Sequence, residues 1–248
     1  MSDRSYNPIG ILSNFHLKLI ALITMTIDHV GMMFFPRYDI FRIIGRLSFP
    51  IFAFLIAEGC SYTRNKLKRF LMIFGMGLIY LLVYYIYDGQ LYGSIFMTFS
   101  FSIFFIFLLM DIKKMLFNKK YIIFSLLLIL FGGLIYLTHL LNEVLYIDYG
   151  LFGILLPVFI SLFDFRNTNA PKILKRLDCI WIKMLCMTGG LFLLAHFRPM
   201  MGLQSYCLFS IVFIALYNGK VGYKGLKYGF YAYYPIHLLI IEGVNILL

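Results

Sequence analysis

The chain has 248 residues, of which 62% are hydrophobic, 19% aromatic and 13% charged, with a mean hydropathy of +0.87. A soluble globular domain carries roughly a quarter charged residues, so composition excludes one and predicts an integral membrane protein. The formal net charge of +11 does not mark a nucleic-acid partner, because most Lys and Arg sit in short loops beside apolar runs, where basic residues set topology.

Repeated apolar runs, each near the roughly 17–25 residues needed to cross a bilayer, fill almost the whole sequence. They predict an all-α polytopic transmembrane bundle forming one domain over 1–248, in contact with membrane lipid. About nine spans are expected, at 15–35, 41–62, 67–87, 91–110, 121–141, 149–163, 180–197, 203–217 and 229–247. The loops with Arg64, Lys66, Lys68 and Arg69, with Lys113, Lys114, Lys119 and Lys120, with Arg166, Lys172, Lys175 and Arg176, and with Lys220, Lys224 and Lys227 are basic and therefore cytoplasmic. The intervening loops carry Asp88, or Glu143 and Asp148, or only Arg198. This alternation places the N-terminus inside and the C-terminus outside. The first thirteen residues are polar and mixed, with no small-residue cleavage pattern after them, so the first span is expected to remain as an anchor. Cys60, Cys179, Cys186 and Cys207 show neither CxxC nor Cys/His ligand spacing, which predicts neither a disulfide framework nor a zinc site.

The stretch from Leu17 to Tyr62 concentrates the informative residues. Ionisable side chains within a span are costly and mark a functional site by default, and two consecutive spans here carry Lys18, Asp28 and His29, then Arg42, Arg46 and Glu58. Lys18 lies at the cytoplasmic boundary, where it either snorkels to headgroups or faces the bundle. His29 follows eleven residues later, about three helical turns, on the same face and deep in the outer half. The second span runs back, bringing Arg42 and Arg46, an i, i+4 pair, to the depth of Asp28 and His29. Glu58 falls near the cytoplasmic end, either as part of the site or paired with Arg64. Pro50 has no amide hydrogen and frees the carbonyl of Arg46, which predicts a kink beside the cluster. Pro235 does the same for Tyr231 in the last span, with His237 two residues on. His139, Glu143, His196 and Arg198 are expected to anchor outer helix ends, and His16 to be solvated ahead of the first span.

Five ordered blocks carry a resemblance to a known family. They are Lys18-Leu19-Ile20-Ala21 with Met25 and Asp28-His29; Arg42-Ile43-Ile44-Gly45-Arg46 with Phe49-Pro50-Ile51-Phe52 and Glu58-Gly59; Asp148-Tyr149-Gly150; Tyr217-Asn218-Gly219-Lys220; and Tyr234-Pro235-Ile236-His237-Leu238. Together they resemble the TraX family, known for pilin acetylation and similar to transmembrane acyltransferases of the acyltransferase-3 and heparan-glucosaminide N-acetyltransferase group. The stretch 70–140 matches only in hydropathy.

The resemblance implies a multi-pass acetyltransferase of the bacterial inner (plasma) membrane. Such an enzyme moves an acetyl group from cytoplasmic acetyl-CoA to an amine or hydroxyl of a pilin-like protein N-terminus or a cell-surface glycan. On that reading Lys18 and Lys220 meet the phosphates of acetyl-CoA as point charges. His29 is either the catalytic base or a nucleophile that is briefly acetylated. Neighbours on a helix point about 100° apart, so Asp28 is expected to hold Arg42 or Arg46, one of which stabilises the oxyanion or the outer substrate. Glu58, Asp148 and His237 orient His29 or line the cofactor's path. The alternative function is a transporter or channel with an intramembrane charged site. It fits less well with an odd number of spans and no internal repeat.

Overall fold

The computed structural model describes residues 10–197, 200–223, 225 and 229–247. Arg198, Lys224 and Lys227, expected in loops, lie outside the described residues, as does the side chain of Pro235. The described chain is all-helical: α1 (Asn14–Phe34), α2 (Asp39–Gly45), α3 (Ser48–Tyr62), α4 (Lys66–Asp88), α5 (Ile95–Phe117), α6 (Tyr121–Leu145), α7 (Gly150–Ile160), α8 (Lys172–Lys175), α9 (Ile180–Phe197), a 3₁₀ stretch (Met200–Phe209), α10 (Ser210–Ala215) and α11 (Gly229–Leu247). Among the described residues, six helical segments are long and apolar enough to cross a membrane: Asn14–Phe34, Asp39–Tyr62, Lys66–Asp88, Ile95–Phe117, Tyr121–Leu145 and Ile180–Phe197. The remaining three expected spans correspond to shorter apolar helices, Gly150–Ile160, Gly202–Ala215 and Ala232–Ile241. With 11 residues, α7 is only about 16 Å long at 1.5 Å per residue, well short of a hydrocarbon core of about 30 Å.

The chain divides into two compact units, residues 1–55 with 195–248, and residues 56–194. In the second unit α5 is central. Its apolar window is 56% buried, against 6% for α6 and 17% for α4, so the outer helices expose Ile79, Leu82, Ile86, Ile122 and Ile129. Apolar surface of that extent is untenable in water and suits lipid. The short α7 is, by contrast, mostly buried.

In the first unit α1 begins under close local control. Ser13 caps it, with the His16 amide donating to Ser13 Oγ and the Ser13 amide to His16 Nδ1. The next amides of α1, on Asn14 and Phe15, donate to the carbonyls of Lys220 (2.8 Å) and Val221 (3.2 Å). These bonds satisfy donors that a helix start otherwise leaves open and tie the entry of α1 to the loop before α11. His16 is thus exposed but works as a cap.

α1 packs antiparallel against α2, and glycines set the spacing. A Cβ on Gly31 would collide with Phe41, and one on Gly45 with the Asp28 side chain. In place of the kink expected beside Pro50, the helical segment is interrupted by the turn at Arg46 and Leu47. α2 ends at Gly45 and α3 begins at Ser48, placing Pro50 in the first turn of α3, where a missing amide hydrogen is tolerated.

Candidate functional site

α1 presents two adjacent faces, which separate the neighbours Asp28 and His29. Asp28 shares its face with the buried Leu17, Ala21, Thr24 and Gly31 and turns toward α2. There Arg46 Nη2 donates to both carboxylate oxygens of Asp28, at 3.2 and 3.0 Å, and Arg42 Nε lies 3.5 Å from Oδ1. Arg46 also donates through Nε to the Arg42 carbonyl (3.3 Å) and through Nη1 to Gln204 Oε1 (3.3 Å). The two arginines are not equivalent. The Arg46 side chain is 4% exposed and that of Arg42 24%, so only the second reaches open space.

The other face of α1 turns toward α11. Lys18 Nζ sits 5.2 Å from the centre of the Phe230 ring, Thr26 Oγ1 lies 2.7 Å from Tyr233 Oη, and His29 Nδ1 lies 2.8 Å from His237 Nε2. The ascending order of both partners means that α1 and α11 run parallel. His237 Nδ1 is 2.9 Å from the Tyr233 carbonyl oxygen one turn back. A carbonyl oxygen can only accept, so His237 Nδ1 carries the hydrogen. Neutral His237 therefore offers a lone pair at Nε2, and His29 Nδ1–H donates to it. The chain of bonds leaves His29 Nε2 unprotonated, a tautomer assigned from its partners.

Lys220 is exposed and Lys18 half-buried. Both lie at the N-terminal end of α1, since the Lys220 carbonyl accepts from Asn14. Glu58 belongs to the second unit and does not pair with Arg64; its buried carboxylate takes up Lys183 instead. Asp148 is in the same unit, where its amide donates to the Gly93 carbonyl (2.7 Å) and its carbonyl accepts from Thr98 (2.6 Å).

Glu58 opens onto a second ionic cluster. Lys183 lies 3.0 Å from Asp178, Asp178 lies 2.9 Å from Arg166, and Arg166 lies 2.9 Å from Asp164. Asp164 accepts from Ser61, one turn of α3 beyond Glu58, so the chain of contacts closes into a ring. Arg166 lies in a loop as expected, and the placement of Lys113 in one is corrected. Arg166 is largely buried, and burial pulls its pKa below the ordinary arginine range against the opposing pull of Asp178. Lys113 is in α5, which continues past the expected end at 110. Its buried Nζ donates to the carbonyls of Ser161 (2.8 Å) and Asp164 (3.1 Å) at the end of α7, where a helix C-terminus favours a cation.

Sequence reasoning missed Gln204 and Lys183. Lys183 carried the signal that singled out Asp28, an ionisable group inside an apolar run. Gln204 is a neutral residue at the edge of the expected span 203–217 and carried no such signal.

Fold and site define a polytopic membrane protein with a carboxylate–guanidinium cluster and an imidazole pair packed between its helices. The chain belongs to the TraX family, whose model, described as TraX protein, matches residues 13–245. It is similar over nearly its whole length to a probable fimbrial assembly protein, FimC of serogroup H1, from Dichelobacter nodosus, at 24% identity over 260 residues covering 95% of this chain and 97% of that one. A 60-residue stretch is 42% identical to an uncharacterised protein of Rickettsia prowazekii, covering 24% of this chain and 23% of that one. No solved structure matches.

Proposed function

We propose that the protein is a membrane acetyltransferase that uses cytoplasmic acetyl-CoA to acetylate an amine or hydroxyl of a pilin-like protein N-terminus or a surface glycan. Membership of the TraX family and likeness to a protein named for fimbrial assembly support a pilus-related acceptor. The observation that carries the chemistry is the bond chain from His29 Nδ1 through His237 to the Tyr233 carbonyl, which leaves His29 Nε2 as a lone pair. On this reading Nε2 takes the proton from the acceptor N–H or O–H as that atom attacks the thioester carbonyl carbon. The C–S bond then breaks, and the departing CoA sulfur collects the proton from His29. The imidazolium formed in between is held by His237 Nε2, and a guanidinium of the Asp28 cluster steadies the oxygen that becomes negative.

Lys18 and Lys220, at one end of α1, suit the phosphates of acetyl-CoA as point charges. Nine crossings with the N-terminus inside would put that end on the cytoplasmic side, the short α7 lying against the longer α5 and α6 where broken backbone is tolerated. The test is label transfer from radiolabelled acetyl-CoA to protein and glycan fractions of pilus-bearing membranes. Purified wild-type protein should transfer label, and His29→Ala, inserted at equal level, should lose it by about 10²–10⁴-fold. Unchanged transfer by that variant removes His29 from the chemistry. Solute flux without acetyl-CoA would favour a transporter instead.

A further inference from the structure

The sequence offers Arg42 and Arg46 as equals, and their surroundings separate them. Arg46 is buried, with its Nε, Nη1 and Nη2 groups turned to the Arg42 carbonyl, to Gln204 and to Asp28. Gln204, itself 1% exposed, presents its amide oxygen to Arg46 and so fixes the plane of that guanidinium. Asp28, clamped by Arg46, offers Oδ1 to Arg42 Nε at 3.5 Å. Arg42 is thereby held at one edge only. Among the described residues, no hydrogen-bond acceptor engages its Nη1 or Nη2 groups, and its side chain is 24% exposed. A guanidinium oriented at Nε with both Nη groups unengaged is the arrangement that takes a carboxylate or an oxyanion through two parallel bonds.

We propose that Arg42 is the guanidinium that binds a negatively charged oxygen of the reactant, while Arg46 and Gln204 are positioning residues that hold Asp28 so that Arg42 is aimed. The identity of that oxygen, the thioester oxygen as it gains charge or a carboxylate on the acceptor, rests on the acetyl-transfer reading. The division of tasks does not.

Two experiments on the full-length protein in nanodiscs test it. Phenylglyoxal, followed by peptide mass spectrometry, should modify Arg42 and leave Arg46 unmodified while the fold persists; equal or faster modification of Arg46 overturns the division whether or not acetyl transfer is found. Arg42→Gln should keep the wild-type unfolding midpoint and lower kcat/KM for acetyl transfer by about 100-fold. The loss falls in kcat for a developing oxyanion and in KM for an acceptor carboxylate. Arg46→Gln should lower the midpoint itself. Gln204→Glu, which still offers Arg46 an acceptor, should restore activity that Gln204→Leu loses. Wild-type kinetics in Arg42→Gln overturn the proposal, whereas an inactive wild-type protein sinks the acetyltransferase reading alone and leaves the labelling result to judge the arginines.

Discussion

Asp28 and His29 are chain neighbours that serve different helices, and the consequences of altering them differ accordingly. Asp28 is the shared counter-charge for Arg42 and Arg46. Asp28→Ala should lower stability by about 3–5 kcal/mol, because removing one partner strands a buried charge; unfolding in detergent measures it, and a loss under 1 kcal/mol, which is the scale of an exposed pair, would mean the cluster is wetter than its burial indicates. On the proposed reading His237 acts through His29. His237→Ala should reduce acetyl transfer roughly ten- to a hundredfold while the protein inserts normally, since one hydrogen bond to an imidazolium is worth about 1.5–3 kcal/mol. Full transfer by that variant would show that the ring of His29 needs no partner. Asp28, His29, Arg42 and Arg46 were legible in the sequence because ionisable groups stand out in apolar runs. That Arg46 faces inward and Arg42 outward was not, because it depends on Gln204, a neutral residue 158 positions away from Arg46.

At the scale of elements, the entry of the chain into the site is set by how closely α1 and α2 approach. Gly45 lies against the Asp28 side chain, whereas Gly132, on the exposed α6, has nothing within 4 Å of an added Cβ. Gly45→Ala should therefore destabilise by about 1–3 kcal/mol through overpacking. Gly132→Ala should be neutral or stabilise by about 0.5–1 kcal/mol through better helix formation. Equal effects from the two, measured in one unfolding assay, would contradict the close contact of α1 with α2. Hydropathy located the long helices to within a few residues, since each needs enough apolar length to cross, save the end of α5, which continues past the expected 110 to Phe117. Hydropathy ran a few residues long at α7, where the apolar residues are buried and the apolar run outlasts the helix. Pro50 signalled a disturbance, but whether it is a kink or a break depends on the packing of Gly45 and Arg46 against α1.

At the scale of the molecule, the described residues hold a buried ionic cluster in each of the two units, and the clusters differ in how completely they are paired. The ring through Glu58, Lys183, Asp178, Arg166, Asp164 and Ser61 closes on itself, which marks it as a brace for the segment between α7 and α9. Lys183→Met should cost about 3–5 kcal/mol, and Glu58→Gln combined with it should cost less than the sum of the two single changes, as expected for groups in one network. Strict additivity would show that the ring is not a unit. Long-range pairings of this kind were invisible in the sequence because Lys113, Arg166 and Lys183 read as topology markers or went unremarked until partners far along the chain came beside them. In the first unit the Arg42 side chain is 24% exposed and the bonds through His237 leave His29 Nε2 with a lone pair; the proposed chemistry depends most on the second. Nitrogen NMR of histidine-labelled protein in nanodiscs should find His29 protonated at Nδ1 and bare at Nε2, with His237 likewise bare at Nε2. A hydrogen on His29 Nε2 in the resting protein would contradict the account, because that atom would then have no lone pair with which to take a proton.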